Sequence, residues 1–313
     1  MSDEFEPKTE RVRLAVAGAR SATAAGLTDR PKGEAVRSRV FQALILLAVS
    51  LALIGLAALL IDAFVEGKGS LSLNLFTEPT SRDADNAGFR TAILGSVWLI
   101  GGVILLVVPL GVGAAIYLEE YANRERWWNR LTELNIQNLA GVPSIVYGIL
   151  GLAFIVRGPL DLGFVLAAGS MTLALLVLPT VIIAAREAIR AVPPSIREGS
   201  MALGATQWQT IRHQVMPAAV PGILTGVILA ISRAFGEAAP LLLLGAATFV
   251  TADPNDPFSG DFTALPVLIF EEAKQAQPEL RELAAAGIIV MLAVLLAMNS
   301  FAIWLRNRYE QRW

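Results

Sequence analysis

Two charged residues of opposite sign stand inside an apolar stretch of the chain. Arg233 and Glu237 lie within Ala218–Val250, a run long enough to cross a bilayer as a helix. Their four-residue spacing predicts that they share one helix face, and Arg233 lies roughly 24 Å along that helix from Pro217. A charge at such depth costs about 2.5–3.5 kcal/mol and usually faces a cavity or another charge. We therefore expect the pair to line or gate an anion pathway, or else to form an internal ion pair that fixes helix packing.

The chain has few residues that could support catalysis, metal binding or ATP binding. The chain has no Cys and a single His, His213, which leaves no thiolate and nearly excludes a His-based triad or metal site. An intramembrane hydrolase would need a base beside Ser170, Ser232 or Glu237, and the apolar runs contain no His or Lys. The phosphate-binding pattern G-x-x-x-x-G-K-[ST] is also absent. We therefore expect a chain without catalytic activity, cofactor or ATP site of its own.

The polar segment before the charged pair, residues 186–217, has the pattern of two short helices. A capping box at Ser195–Glu198 predicts the start of the first helix, and Gly204 predicts its left-handed stop. A second box at Thr206–Gln209 starts another helix, expected to end before Pro217. Apolar side chains able to face a partner or the membrane surface are Met201, Leu203, Trp208 and Ile211. A helix-turn-helix DNA reader is disfavoured because membrane-length runs flank the segment and it holds few basic residues.

The elements that must position these residues are membrane helices. The chain is 55% hydrophobic and 17% charged, against about 25% charged in soluble domains. Six apolar runs reach the ~20 residues that a spanning helix needs: Val40–Phe64, Thr91–Leu118, Ile136–Val156, Leu160–Ala185, Ala218–Val250 and Ala284–Leu305. Gly141 and Pro143 are expected to kink the third run, and Gly222-x-x-x-Gly226 offers a close-packing face on the fifth. The predicted fold is an all-α polytopic membrane protein with six transmembrane helices.

The orientation follows from the basic residues. Most Lys and Arg fall in the N-terminal tail, in the loops on the same side of the membrane, and at the C-terminus. This bias predicts that both termini are cytoplasmic and that the 186–217 loop, between the fourth and fifth helices, is cytoplasmic too. Residues 1–39 are expected to form a largely disordered cytoplasmic tail, followed by a six-helix transmembrane domain over 40–313.

The spacing of Glu198, Gly204 and Pro217 resembles the cytoplasmic EAA loop of ABC importer permeases. In that family the loop forms a coupling helix that docks into a groove on the ATP-binding subunit. The family's two alanines after the Glu are Gly199 and Ser200 here. The resemblance implies that four residues contact an ATP-binding subunit dimer: Glu198, Gly204, Ala205 and Trp208. The same spacing is also compatible with Glu198 and Gly204 only capping and ending their own helix.

Three further stretches resemble the PstA-type permease of phosphate ABC importers. They are SRAFGEAAPLLLLGA around Arg233, GVPSIVYGILG at Gly141–Gly151 and ALPVLIF at Ala264–Phe270. The family's GETAPLL reads GEAAPLL here, with Ala238 in place of the Thr. The resemblance covers the chain from about Gly88 to the C-terminus.

The resemblance implies a multi-pass subunit of the bacterial cytoplasmic (inner) membrane that forms half of an ATP-driven pathway for inorganic phosphate. It implies a PstC-like second permease and a periplasmic phosphate-binding protein as partners, with membrane lipid around the helices and no nucleic acid. A guanidinium suits any oxyanion, so sulfate, molybdate and tungstate stay open as substrates. A secondary transporter or channel that uses Arg233 and Glu237 as a gate without ATP is the main rival function.

Overall fold

The described part of the chain is entirely helical. A computed structural model describes residues 32–309, apart from 82, 84, 85, 124 and 247–249. Within these residues there is no strand. The helices are α1 Lys32–Gly67, α2 Asn74–Thr77, α3 Arg90–Ile116, α4 Trp127–Ala140, α5 Ser144–Leu150, α6 Leu166–Arg190, α7 Pro194–Ala202, α8 Gln207–Thr210, α9 Met216–Phe235, α10 Ala239–Leu243, α11 Leu265–Ala273 and α12 Pro278–Tyr309. Three stretches of π-helix continue α3, α5 and α8, namely Tyr117–Tyr121, Gly151–Val156 and Ile211–Val215.

The described residues contain five candidate spans, or six, the predicted number, if one bent pair of helices is counted as a single span. Five continuous helices are long and apolar enough to cross a membrane: Arg37–Gly67, Arg90–Tyr121, Leu166–Arg190, Gln207–Phe235 and Pro278–Arg308. The sixth is the pair Trp127–Ala140 and Ser144–Val156, whose two parts are bent by 106° to one another. The fold class expected from the hydropathy pattern is therefore confirmed.

The bend in the third span lies where Gly141 and Pro143 were expected to kink it. The helix predicted over Ile136–Val156 is two helices, with α4 ending before Gly141 and α5 starting after Pro143. Proline lacks a backbone N–H and disfavours helical geometry in the residue before it. The result is a break rather than a smooth kink, and the half that starts at α5 has fewer residues than a full crossing requires.

The fourth and sixth spans begin at residues other than those predicted. The fourth span begins at Leu166 rather than Leu160, because Asp161 and Gly163 have φ values of 43° and 76°, which a right-handed helix cannot contain. The sixth begins at Pro278, six residues before Ala284. Its polar first turns carry no apolar signal from which a hydropathy pattern could locate the start.

The chain divides into two compact units, Met1–Asp62 and Ala63–Trp313. The described part of the first unit is α1 as far as Asp62, and its apolar side chains from Val40 onward are exposed. The helix already starts at Lys32, so the last residues of the predicted tail are helical. Residues 1–31, which make up most of that tail, lie outside the described residues.

Helix α6 lies at the centre of the second unit, where it packs along α3 and α9. It is the most buried of the candidate spans. Gly222 and Gly226 on α9 face Ala188 and Ala184 on α6, and a Cβ at either glycine would overlap the alanine methyl. The predicted close-packing face of the fifth span is confirmed, and it brings the backbones of α6 and α9 together.

Helix α11 lies outside the candidate spans and packs on α12. Its first amide, on Leu265, donates a 2.9 Å hydrogen bond to the Ser96 hydroxyl of α3. Glu272, near its C-terminal end, is 1% exposed, and neither carboxyl oxygen has a hydrogen-bond partner among the described residues. Burial raises the pKa of this carboxyl to about 8. Glu272 is therefore mostly protonated at neutral pH.

Candidate functional site

The segment between the fourth and fifth spans forms a helical hairpin, here called the inter-span hairpin, residues 194–215. Its turn is Gly204, whose φ of 87° is the left-handed conformation expected of a helix stop. The capping box predicted at Thr206 is present: its hydroxyl accepts from Gln209 N at 3.3 Å, and its own N–H donates to Gln209 Oε1 at 2.8 Å. These two predictions are confirmed.

Two other local expectations for the hairpin are wrong. The first box does not form: α7 begins at Pro194, so Ser195 lies inside the helix and makes no capping bond. Proline at the first helical position is already in helical geometry and lacks a donor that would go unused there. The second helix does not end before Pro217. It passes through the π-turn Ile211–Val215 into α9, which leaves Pro217 in the first turn of α9, where a missing N–H is tolerated.

The outer face of the hairpin is apolar and uncovered. Leu203 is 91% exposed and Trp208 56% exposed, and Glu198 and Gly204 are exposed beside them. Ala205 is half-buried, and its N–H donates to Ser200 O at 3.2 Å. Large apolar side chains grouped at an exposed turn are typical of a surface that binds another protein or a membrane. Three of the four residues predicted to couple are thus exposed and Ala205 is half-buried, and their contact with an ATP-binding subunit stays a prediction.

The inner face of the hairpin is held by hydrogen bonds. Arg197 on α7 donates through Nε and Nη2 to Glu120 Oε1, at 3.1 and 2.8 Å. It also donates to the backbone oxygens of Val192 and Ile189, at 2.7 and 2.9 Å. Glu120 lies on the π-turn that ends the second span, so one guanidinium joins the hairpin to the ends of two spans.

Arg197 and Glu120 belong to a larger ionic cluster of six residues: Glu119, Glu120, Glu133, Arg186, Arg190 and Arg197. Arg186 donates to Glu119 at 2.8 Å and to Glu133 on α4 at 3.0 Å, and Arg190 donates to the same Glu119 oxygen at 2.8 Å. The side chains of Arg186 and Glu119 are 8% and 2% exposed. Three guanidinium groups thus face three carboxylates where α3, α4, α6 and α7 meet.

Sequence reasoning did not find this cluster. The signals were present as a Glu-Glu pair at the end of the second apolar run and as arginines at 186 and 190, one helical turn apart. Nothing in their spacing along the chain shows that Glu119 and Arg186, 67 residues apart, are neighbours.

The charged pair predicted on one face of the fifth span is separated. Helix α9 ends at Phe235 and Gly236 caps it, so Glu237 lies beyond the helix. The two side chains form no ion pair with each other or with any other described residue. Arg233 is exposed in this protomer, and Glu237 is half-buried. The shared face was a wrong prediction, because the helix ends at Gly236, between the two charges.

The break after α9 lies against the bend in the third span. Helices α5 and α10 pack together, and a Cβ on Gly148 would come within 2.7 Å of the Pro240 Cα. Tyr147, next to that glycine, lies within electrostatic range of Arg233. Two sequence motifs that are almost a hundred residues apart therefore form one irregular region at the end of the fifth span.

Polar contacts also join the fifth and sixth spans. Ser232, beside Arg233, lies 2.6 Å from the side-chain oxygen of Asn299. Two turns away, Arg306 donates to the Thr225 hydroxyl at 3.3 Å. Hydrogen bonds between spans of this kind contribute about 0.6–2 kcal/mol each, and here they fix α12 beside the helix that carries Arg233.

A family model described as "binding-protein-dependent transport system inner membrane component" matches residues 107–313. Among curated proteins, the phosphate transport system permease protein PstA of Yersinia pestis is 35% identical over 281 residues, 88% of this chain and 93% of its own length. PstA of Haemophilus influenzae is 33% identical over 82% of this chain and 88% of its own length. The probable ABC transporter permease protein YqgI of Bacillus subtilis is 31% identical over 80% and 90%.

The fold also matches solved membrane proteins. A chain of a bacterial alginate ABC transporter, in complex with its alginate-bound periplasmic protein, superposes with a TM-score of 0.65 at 17% identity. The match covers 90% of this chain and 98% of that one. A chain of the MetNI methionine ABC transporter matches 69% of this chain with a TM-score of 0.53 at 13% identity. At such identities the likeness shows the shared fold alone.

Proposed function

Because the chain belongs to the family of binding-protein-dependent transport system inner membrane components, we propose that it forms half of the translocation pathway for inorganic phosphate in an ATP-driven importer. Its place as an ABC transporter permease subunit follows from the family. Phosphate as the cargo is supported by the PstA proteins, which match 82% and 88% of the chain, and by the arginine at the end of the fifth span.

Arg233 is the observation that carries the proposed substrate class. A guanidinium presents a planar set of donors that fits the oxygens of a phosphate group. In this conformation no described carboxylate occupies those donors, and the side chain is exposed on the protomer. Glu237, just beyond the helix end, would compete with the anion for Arg233 when the two approach. Arg233 then contacts the passing anion weakly, and Glu237 closes the gate behind it.

The inter-span hairpin is the proposed contact with the motor. Leu203 and Trp208 expose apolar surface around the turn, and Gly204 and Ala205 shape the turn itself. Glu198, on α7 of the same hairpin, is exposed and offers a carboxylate. An ATP-binding subunit dimer docking here would move α7 and α8, and α8 continues through a π-turn into α9. The movement driven by ATP hydrolysis on a separate subunit would thus reach Arg233 through α8 and α9.

The complete assembly would contain three further kinds of partner: a PstC-like second permease, the ATP-binding subunit dimer and a periplasmic phosphate-binding protein. The hairpin side, with both termini, would face the cytoplasm of the bacterial cell across the inner membrane. The half-spanning third helix and the break after α9 would then lie at membrane depth beside the second permease.

The substrate is tested with the whole importer, purified with its native neighbours and reconstituted in liposomes. We expect phosphate-loaded binding protein to stimulate ATP hydrolysis and phosphate uptake together, while sulfate, molybdate and tungstate do neither. Stimulation by one of those anions and not by phosphate would reassign the cargo. Uptake that follows an ion gradient and persists without the ATP-binding subunits would instead favour a secondary transporter.

A further inference from the structure

We propose that the Arg197–Glu120 contact is a latch that moves the end of the second span together with the inter-span hairpin. This inference rests on the proposed function, since it concerns how a displacement of the hairpin reaches the membrane helices. The hairpin is joined covalently to α6 and α9 only. Through this latch it also holds α3, the span that packs most extensively on α6.

The hydrogen bonds of Arg197 fix one arrangement of the hairpin relative to the end of the second span. Its Nε and Nη2 both reach Glu120 Oε1, while Nη1 donates to Val192 O and Nη2 also donates to Ile189 O. Every nitrogen of the guanidinium is thus engaged. The two carbonyls lie at or just beyond the end of α6. They fix the orientation of the guanidinium group, which then points towards Glu120. A lysine has no planar fork and could not span the same acceptors.

The π-turn Tyr117–Tyr121 presents its two carboxylates to different neighbours. Glu119 is held by Arg186 and Arg190 on α6, and Glu120 is held by Arg197 on α7. The backbone oxygen of Glu120 also accepts from the Gln207 side chain on α8. Both helices of the hairpin therefore contact the π-turn that follows α3.

Burial separates this contact from an ordinary surface ion pair. The side chains of Glu120 and Arg197 are 9% and 21% exposed, so water and salt screen their attraction weakly. The outer face of the same hairpin is uncovered at Leu203 and Trp208. A partner can therefore push the hairpin from outside without competing for the latch inside.

Spin-label distances in the assembled importer test the latch directly. This chain contains no cysteine, so within it labels enter only at chosen positions, and the partner subunits are used in cysteine-free form. Tyr121 is exposed on the π-turn, and a side chain at Gly199 on α7 meets nothing within 4 Å. We expect the Tyr121→Cys/Gly199→Cys distance to stay the same without nucleotide and with ATP. A reference pair, Gly199→Cys with Phe258→Cys in an exposed loop, should change.

The outcomes separate failure of the latch from failure of the proposed function. A 121–199 distance that changes with ATP as much as the reference pair overturns the latch but leaves ATP-driven transport intact. A reference pair that does not respond to ATP overturns the latch and counts against the proposed function as well. In Arg197→Gln the 121–199 distance should become state-dependent.

The functional readout is the number of phosphate ions moved per ATP hydrolysed. Arg197→Gln should lower that ratio at least about fivefold, the usual lower range of coupling between sites, with normal assembly. Arg197→Lys should recover part of it. Arg130→Gln removes the same charge from an exposed position of α4, outside the hairpin, and should leave the ratio unchanged. If Arg197→Gln lowers uptake and ATP hydrolysis equally, the residue only stabilises the fold and the latch is refuted.

Discussion

Two regions of the molecule treat charge in opposite ways. At the hairpin end, the three arginines of the ionic cluster each contact a carboxylate. At the break after α9, Arg233 and Glu237 contact no charged partner among the described residues. Charges that are matched within the chain hold helices in place. A charge left unmatched by the chain remains available to another molecule, which is the property that the proposed pathway requires.

Glu272 represents a third case. It is buried, its carboxyl oxygens have no hydrogen-bond partner in the described part of the chain, and its pKa is raised to about 8, so the group avoids the cost of a buried charge by keeping its proton. The chain thus accommodates ionisable groups among apolar helices in three ways: by ion pairing, by exposure and by protonation. Substitutions at each site should have separable consequences.

Arg186→Gln should have the largest effect on stability. It leaves Glu119 and Glu133 without one of their guanidinium partners in a buried site, and removing one member of a buried pair costs about 3–5 kcal/mol. We expect a large loss of folded protein in detergent, measured by size-exclusion yield and thermal melting. Arg308→Gln, at an exposed position of α12, is the control. A normal melting curve for Arg186→Gln would mean that the cluster does not hold these helices.

Arg233→Gln should leave the fold and the assembly intact but remove uptake. A hydrogen bond to a charged group contributes about 1.5–3 kcal/mol, so uptake should fall about 10- to 100-fold. The matched control is Arg157→Gln, whose guanidinium lies 5.3 Å from the Phe164 ring and whose loss should not change uptake. Wild-type uptake in the Arg233 variant would show that the unpaired arginine has no role in transport, contrary to the difference drawn between the two charged regions.

Glu272→Gln should change how stability depends on pH. The folded-state pKa is raised from 4.5 to about 8, so the folded chain keeps a proton that the unfolded chain releases. Stability from this group is therefore complete below pH 4.5 and is lost as the pH rises towards 8. The loss is at most about 1.4 kcal/mol per pH unit within that window.

The pH effect is measured as the melting temperature of the complex at a series of pH values from 4.5 to about 8. Glu272→Gln should flatten the decline, whereas Glu271→Gln, which removes a half-exposed partner of Lys274 at 2.9 Å, should leave it unchanged. An identical decline in the wild type and in Glu272→Gln would show that this carboxyl is not the group that titrates.

Gly204→Leu should have the smallest effect on folding and still separate the hairpin from its partner. A left-handed conformation costs an ordinary residue about 1–2 kcal/mol, and space itself is no obstacle, since a Cβ there meets nothing within 4 Å. We expect less ATP-binding subunit in a pull-down and lower uptake. Gly260→Leu carries the same backbone cost, with φ of 78° and open space, in a loop outside the hairpin, and should retain the subunit. Equal retention by both variants would argue against docking at the hairpin.

Much of the local structure was predictable because its causes are local. The Thr206 capping box and the left-handed Gly204 depend on residues within a few positions of one another. The spans depend on runs of apolar residues, and Gly222 with Gly226 already indicated a close helix contact. Their ends were less predictable where a hydropathy run continued past a backbone break. The apolar run Ala218–Val250 continues on both sides of Gly236, so hydropathy concealed the end of α9 and placed Glu237 on a helix that ends before it.

The sequence by itself determined that this chain is a helical membrane protein with a capped hairpin between two spans, because hydropathy and capping act over short distances along the chain. Only the tertiary structure decided which charges are matched. Ion pairs such as Glu119–Arg186 join residues 67 positions apart, and no periodicity encodes such a contact. The same holds for the uncovered Arg233: its exposure results from how α9, α10 and α5 pack, a consequence of long-range packing rather than of any residue type.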